Sequence, residues 1–242
     1  MPVAVALFVL LFWEICVHVF QIPMYLLPAP TSIAQALVEN HEVLFSHAMV
    51  TLLEAVLGLL IALVLAVITA ILMDLSKTFR NSIYPHLVVT QTVPVMVLAP
   101  LFSIWLGFGM APKIMIVIFM CYFPITVSFA DGLSQVSQKQ INLLKSFQAS
   151  TFQIYTMVKI PSAVNSLFSG LKVSATYCIG GAIVGEWLGS QNGLGYYLLR
   201  VKNSYMLDKV FATVIVVIVL SLLMNACVEA AKRLLCPHGM KK

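Results

Sequence analysis

The stretch at positions 48–73, AMVTLLEAVLGLLIALVLAVITAILM, contains one ionisable side chain, Glu54. About 20 apolar residues in a helix cross roughly 30 Å of hydrocarbon. Lipid offers no partner to a peptide group, so such a run must close its hydrogen bonds within itself, as a helix. Five more runs share the pattern, at 3–20, 85–106, 112–130, 168–188 and 208–231. With 61% hydrophobic and only 10% charged residues, the chain departs far from soluble composition. The expectation is a single all-α, polytopic membrane domain over 1–242, with about six transmembrane helices and a polar loop at 131–167. The first run has no basic flank and no small-residue cleavage site after it, so it reads as a retained span.

Lysine and arginine set the orientation. With both termini inside, the inner segments carry Lys77, Arg80, Lys139, Lys145, Lys159, Lys172, Lys232, Arg233, Lys241 and Lys242. The outer segments carry only Lys113, Arg200, Lys202 and Lys209. Ten against four favours N-in and C-in. The net charge of +5 is accounted for by anionic headgroups at the membrane lipid surface, so no nucleic acid is expected. The five cysteines, Cys16, Cys121, Cys178, Cys227 and Cys236, are scattered and read as small hydrophobes. The five histidines are dispersed, which leaves neither a metal site nor a catalytic cluster.

Outside the membrane, IPMYLLPAP at 22–30 reads as extended, and the segment from Thr31 as a short surface helix with Ile33, Leu37 and Leu44 on one side. Pro85, Pro94, Pro100 and Pro124 fall in or at the ends of spans, which places the third span inside the bundle, beside helices or a wet cavity. Gln91 and Thr92, just before Pro94, are then candidates for a solute path, with ordinary interhelical hydrogen bonds as the alternative. Tyr177 in the fifth span joins them, because its ring suits a flat heterocycle. Glu186 is a fourth path candidate, although interfacial water near the outer end of its span explains it as well. Glu54 calls for a partner such as tyrosine or histidine, and Glu14 pairs with His18 one turn on. In the fifth span Gly170, Ser174, Gly181 and Gly185 form a small-residue stripe that lets helices approach closely. It serves packing within the bundle, a dimer mate, or the path.

The inner loop contains NLLKSFQASTFQIYTMVKIPSAVNSLFSG at 142–170. Leu143, Leu144, Phe147, Thr151, Ile154 and Val158 recur at helical spacing, and Pro161 is expected to stop or bend the helix before re-entry at Leu167. Periodicity alone leaves two readings open, a helix on the bilayer surface and one that docks in a groove of a soluble partner.

Val158, Ile160 and Pro161 match the end of a loop motif, E-A-A-x3-G-x9-I-x-L-P, while its glutamate, alanines and glycine fall on Asn142, Leu143, Leu144 and Gln148. Residues 92–125 and 181–198, with Trp13–Glu14 and LLPAPTSI at 26–33, complete the likeness. In these stretches the chain resembles the permease subunits of bacterial ABC importers, in the nitrate, sulfonate and taurine branch, and within it the permeases for the thiamine pyrimidine precursor. The resemblance implies a type I importer fold in the bacterial inner membrane. It further implies a permease homodimer, a separate ABC ATPase that binds the ATP and Mg, and an extracytoplasmic substrate-binding protein. No cofactor is expected on this chain. Ser146, Phe147, Ala149, Ser150, Phe152 and Pro161 would form the ATPase-coupling loop. No Walker A sequence occurs in the chain, consistent with a non-catalytic subunit. The alternative is a proton-coupled secondary carrier using Glu54 or Glu186.

Overall fold

The structure, a computed structural model, describes residues 2–235; Cys236, Lys241 and Lys242 lie outside them. The described residues are helical throughout, in the order α1 (Pro2–Val19), α2 (Pro30–Glu39), α3 (His41–Leu75), α4 (Lys77–Thr92), α5 (Val95–Leu106) and α6 (Ala111–Ser134). On the inner side follow α7 (Gln138–Ser146), α8 (Thr151–Ile154) and a π-turn at Tyr155–Lys159. The chain ends with α9 (Ile160–Glu186), α10 (Leu194–Asn203) and α11 (Leu207–Leu235).

Among the described residues, four helical stretches are long and apolar enough to cross a membrane: His41–Leu75, Ala111–Ser134, Thr151–Glu186 and Leu207–Leu235. The third expected span is not one helix. α4 and α5 meet at a bend of 103°, because Pro94 lacks an N–H and holds Val93 extended (φ −79°, ψ 120°). The first is a shorter apolar helix, Ala4–Val19, and it is exposed along most of its length. It meets the rest where Val17 is buried and where the Trp13 ring lies edge-on to Phe211 at 5.7 Å.

The second span begins seven residues before the expected boundary at 48. The surface helix ends at Asn40, and α3 then runs for 35 residues. Leu44 therefore belongs to α3, while Ile33 and Ala36 bury the inner face of α2. The three-proline segment is not extended throughout, since Leu26 and Leu27 donate N–H bonds back to the Pro23 carbonyl.

At the centre, α6 packs most extensively on α9, with α3 against both. The small-residue stripe explains the closeness. A Cβ on Gly170 would lie 2.6 Å from the Pro124 carbonyl oxygen, one on Gly181 3.0 Å from Met120 Sδ, and one on Gly185 2.9 Å from Lys113 Cα. Ser174 Oγ donates to the Cys121 carbonyl at 2.9 Å. All four stripe residues thus face α6 within the same chain.

The loop departs most from expectation. A single helix over Leu143–Ile154 does not form; α7 ends at Ser146, and a turn through Phe147–Ser150 separates it from α8. Pro161 neither stops nor ends a helix, because the run from Thr151 passes through it to Glu186. The π-turn is the physical reason. Ile160 N–H donates five residues back, to Tyr155, and this wider turn accommodates a proline ring and tolerates a missing donor. The helix that carries the chain back accordingly begins well before Leu167.

Candidate functional site

At the outer end, the acidic side chains are enclosed. Lys113 Nζ donates to Glu54 Oε1 at 2.8 Å, with the lysine side chain 9% and the glutamate 1% exposed. Glu54 thus pairs with a lysine assigned by sequence to an outer segment, not with a tyrosine or histidine. Burying such a pair is tolerated because each charge supplies what the other loses from water. Glu186 is equally buried, so interfacial water does not explain it. Its carboxylate accepts the Thr51 hydroxyl at 2.6 Å and the Gly195 N–H at 2.5 Å. Gly195 lies in the first turn of α10, where a carboxylate meets free N–H groups and the positive end of the helix. Thr51 Oγ1 also accepts the Leu194 N–H at 2.8 Å. A Cβ on Gly193, at φ +107°, would overlap the Glu186 carboxylate, so the outer turn can close on it only with glycine there. Glu186 therefore caps the first turn of α10, and it is not among the residues that line the recess between α4 and α5. Both carboxylates named for a proton carrier, Glu54 and Glu186, are thus held by protein donors.

Glu14 repeats this capping device. It pairs with His18 at 2.9 Å, and it also accepts the Thr31 N–H at 3.1 Å and the Thr31 hydroxyl at 2.8 Å, which caps the first turn of α2. The PTS at 30–32 was the available signal for a helix start needing an acceptor.

In mid-molecule, the break between α4 and α5 opens a recess of about 250 Å³. Thr90, Gln91, Phe119, Met120, Phe123 and Tyr177 are among its lining residues, and none of the lining side chains is basic or acidic. Gln91 and Tyr177, 86 positions apart in sequence, are thus brought together. Thr92 is not; its hydroxyl turns back to the Val89 carbonyl at 2.8 Å. Thr90 does likewise to Leu87 at 2.6 Å. At such a break the last carbonyls of one half-helix and the first N–H groups of the next have no helical partner. The recess therefore offers acceptors, donors and aromatic faces together.

On the inner side, Val136, Ile141 and Ile154 form a small core, with Leu144, Ala149 and Val158 against it. This core holds α7 and α8 as one body. Phe147 and Phe152 point away from it, 75% and 76% exposed. Ser146 Oγ bonds the Leu143 carbonyl at 2.7 Å. Ser150 caps the long run beginning at Thr151, in a capping box with Gln153. Sequence carries that box openly as S-T-F-Q. Gln148, on the motif's glycine position, has φ +58°, the left-handed region that favours glycine. Two side chains of the π-turn, Tyr155 and Lys159, both donate to the Asp74 carboxylate at the inner end of α3. Sequence does not disclose that triad, since nothing in the local pattern links positions 74 and 155.

Comparison with known proteins agrees with this geometry. Residues 43–238 match the family model described as "Binding-protein-dependent transport system inner membrane component". A probable ABC transporter permease protein of Haemophilus influenzae is 34% identical over 221 residues, covering 91% of this chain and 90% of that one. The formylaminopyrimidine transport permease protein ThiX of Halalkalibacterium halodurans is 32% identical over 242 residues, covering 100% of this chain and 96% of that one. Among solved structures, an amino acid ABC transporter chain superposes with a TM-score of 0.67 at 16% identity, over 82% of this chain and 97% of that one. At that identity the likeness is one of fold.

Proposed function

The chain belongs to the binding-protein-dependent transport system inner membrane components and is a non-catalytic permease subunit of an ABC importer; from that premise we propose that its solute is a neutral pyrimidine precursor of thiamine. The observation that carries the reading is the recess at the α4–α5 break. A sulfonate, taurine or nitrate brings a negative charge, which inside a membrane calls for a basic partner, and the lining has none. An uncharged aminopyrimidine needs hydrogen-bond donors, acceptors and a flat apolar surface. Gln91 supplies an amide with both functions, the helix ends supply backbone groups, and Phe119, Phe123 and Tyr177 supply ring faces. The relative ThiX is described as a formylaminopyrimidine permease, which supports the same choice.

In this reading two copies face each other across their α4–α5 segments in the bacterial inner membrane, and a binding protein delivers solute from outside. ATP and Mg are held by a separate ATPase below. Phe147 and Phe152, with Ala149 and Ser150 beside them, enter a cleft of that ATPase. Closure of the cleft then tilts the attached spans as rigid bodies.

The test is uptake by vesicles holding the complete importer, permease with its ATPase and binding protein, supplied with labelled formylaminopyrimidine or taurine. ATP-dependent uptake of the pyrimidine is expected, reduced roughly tenfold by Gln91→Leu, since one hydrogen bond in such a site contributes about 1–3 kcal/mol. Uptake of taurine with none of the pyrimidine overturns the assignment.

A further inference from the structure

We propose that Asp74, Tyr155 and Lys159 form a latch that transmits loop movement to the solute recess, with Asp74 as the positioning residue. Asp74 is the next-to-last residue of α3, two residues before the Ser76 joint from which α4 starts. Tyr155 and Lys159 lie one helical turn apart in the π-turn, and both donate to the Asp74 carboxylate. Lys159 Nζ also stands 5.0 Å from the centre of the Tyr155 ring. Among the described residues, this is the only ion pair joining the 135–159 segment to another part of the chain.

Its burial separates it from its neighbours on the same side. The Lys159 and Asp74 side chains are 15% and 9% exposed, whereas those of the Arg80–Asp131 and Lys172–Glu229 pairs are 37–60% exposed. An exposed pair contributes little. A buried one costs desolvation and holds only in one geometry, so it fixes how two elements sit. The elements fixed here are informative. On one side stands the α7–α8 body, held together by the Val136, Ile141 and Ile154 core. On the other stands the α3–α4 joint. Ser76 caps α4 by accepting the Phe79 N–H at 3.2 Å, so α4 begins directly at the latch. Sixteen residues further on, α4 ends at Gln91, Thr92 and the break. A displacement of the docking loop thus reaches Asp74 by two side-chain bonds, and the recess by one continuous helix of about 24 Å, α4, which has Pro85 in its interior. The π-turn supplies the other requirement. Such turns relax the regular bonding locally and recur at functional positions, which lets the loop rotate relative to α9 while Asp74 keeps hold of it.

The inference rests on the importer reading but not on the identity of its solute. It is tested in the reconstituted complex by measuring uptake and ATP hydrolysis side by side, with whichever solute the wild type carries. Asp74→Asn is expected to lower uptake at least tenfold while hydrolysis changes less than twofold, so that more ATP is spent per solute. The exchanged pair Asp74→Lys with Lys159→Asp is expected to recover at least half of the lost uptake. Tyr155→Phe gives a smaller loss in the same direction. If uptake and hydrolysis fall together in Asp74→Asn, and the exchange recovers neither, the triad is only a structural tie and the proposal is wrong. Unchanged uptake in Asp74→Asn overturns it equally. If Asp74→Asn does not assemble, Tyr155→Phe decides: an unchanged ratio of uptake to hydrolysis refutes the latch, a lowered ratio upholds it. A wild-type complex that hydrolyses ATP but carries no pyrimidine counts against the solute alone.

Discussion

The two ends of this bundle are built on opposite principles. At the outer end, charged groups are enclosed, and each carboxylate has a specific donor: Lys113 for Glu54, Thr51 and Gly195 for Glu186. Glycines there leave no space, as at Gly185 and Gly193. At the inner end, large apolar rings stand in solvent, the helices are short, and one turn is widened. The first arrangement resists displacement, because any movement strips a buried charge of its partner. The second presents a handle. In the proposed reading, where the ATPase drives the permease at this loop, both are needed, since a force applied there does useful work only against something that stays still.

Lys113→Met tests the outer end and has the largest expected effect. It leaves Glu54 buried without its cation, at a cost of about 3–5 kcal/mol, and the yield of folded protein and its thermal midpoint in detergent should both fall sharply. An unchanged midpoint removes the claim that this end is locked by charge. Phe147→Asp comes next and should reverse the pattern. Folding is unaffected because the ring is in solvent, but co-purification with the ATPase is lost, at about 2 kcal/mol or more for an anchor aromatic. A complex that persists in the Phe147→Asp variant would detach the docking role from this face. The smallest effect is expected from Gln148→Gly, a gain of about 0.5–1 kcal/mol in loop stability from relief of the positive φ, measured by hydrogen exchange of α7. No change there would mean that the turn imposes little strain on glutamine.

What the sequence discloses follows from where the governing interactions lie. Apolar runs reveal spans because lipid imposes length and composition on each helix separately, so α3, α6, α9 and α11 are legible. The bend at Val93–Pro94 is legible only as a proline in a span, since its angle depends on packing against α6. Gln91 and Tyr177 can be picked out singly as polar and aromatic groups in spans, and their meeting in one recess needs the fold. Lys113 reads only as a topological charge, because nothing local shows that it reaches Glu54, 59 positions away. Glu186 reads as wetted for the same reason, its donors coming from α3 and from a turn beyond α9. The loop misleads differently. Helical spacing continues across Phe147–Ser150, where a turn intervenes, and Pro161 suggests its usual disruptive role in a place where the backbone has already widened.

That widening has a geometric consequence. A π-turn takes up about one residue more than an α-turn, so it offsets what precedes it by about 100° from where an unbroken α-helix of the same residues would place it. The direction in which Phe152 projects is therefore a quarter-turn away from the one that α-helical counting back from Gly170 would give, although both belong to one continuous rod. Tightening Tyr155–Lys159 into regular α-helix with no residue removed would keep the rod intact, yet swing the aromatic grip about a quarter-turn; removing one residue at the same time would restore its direction.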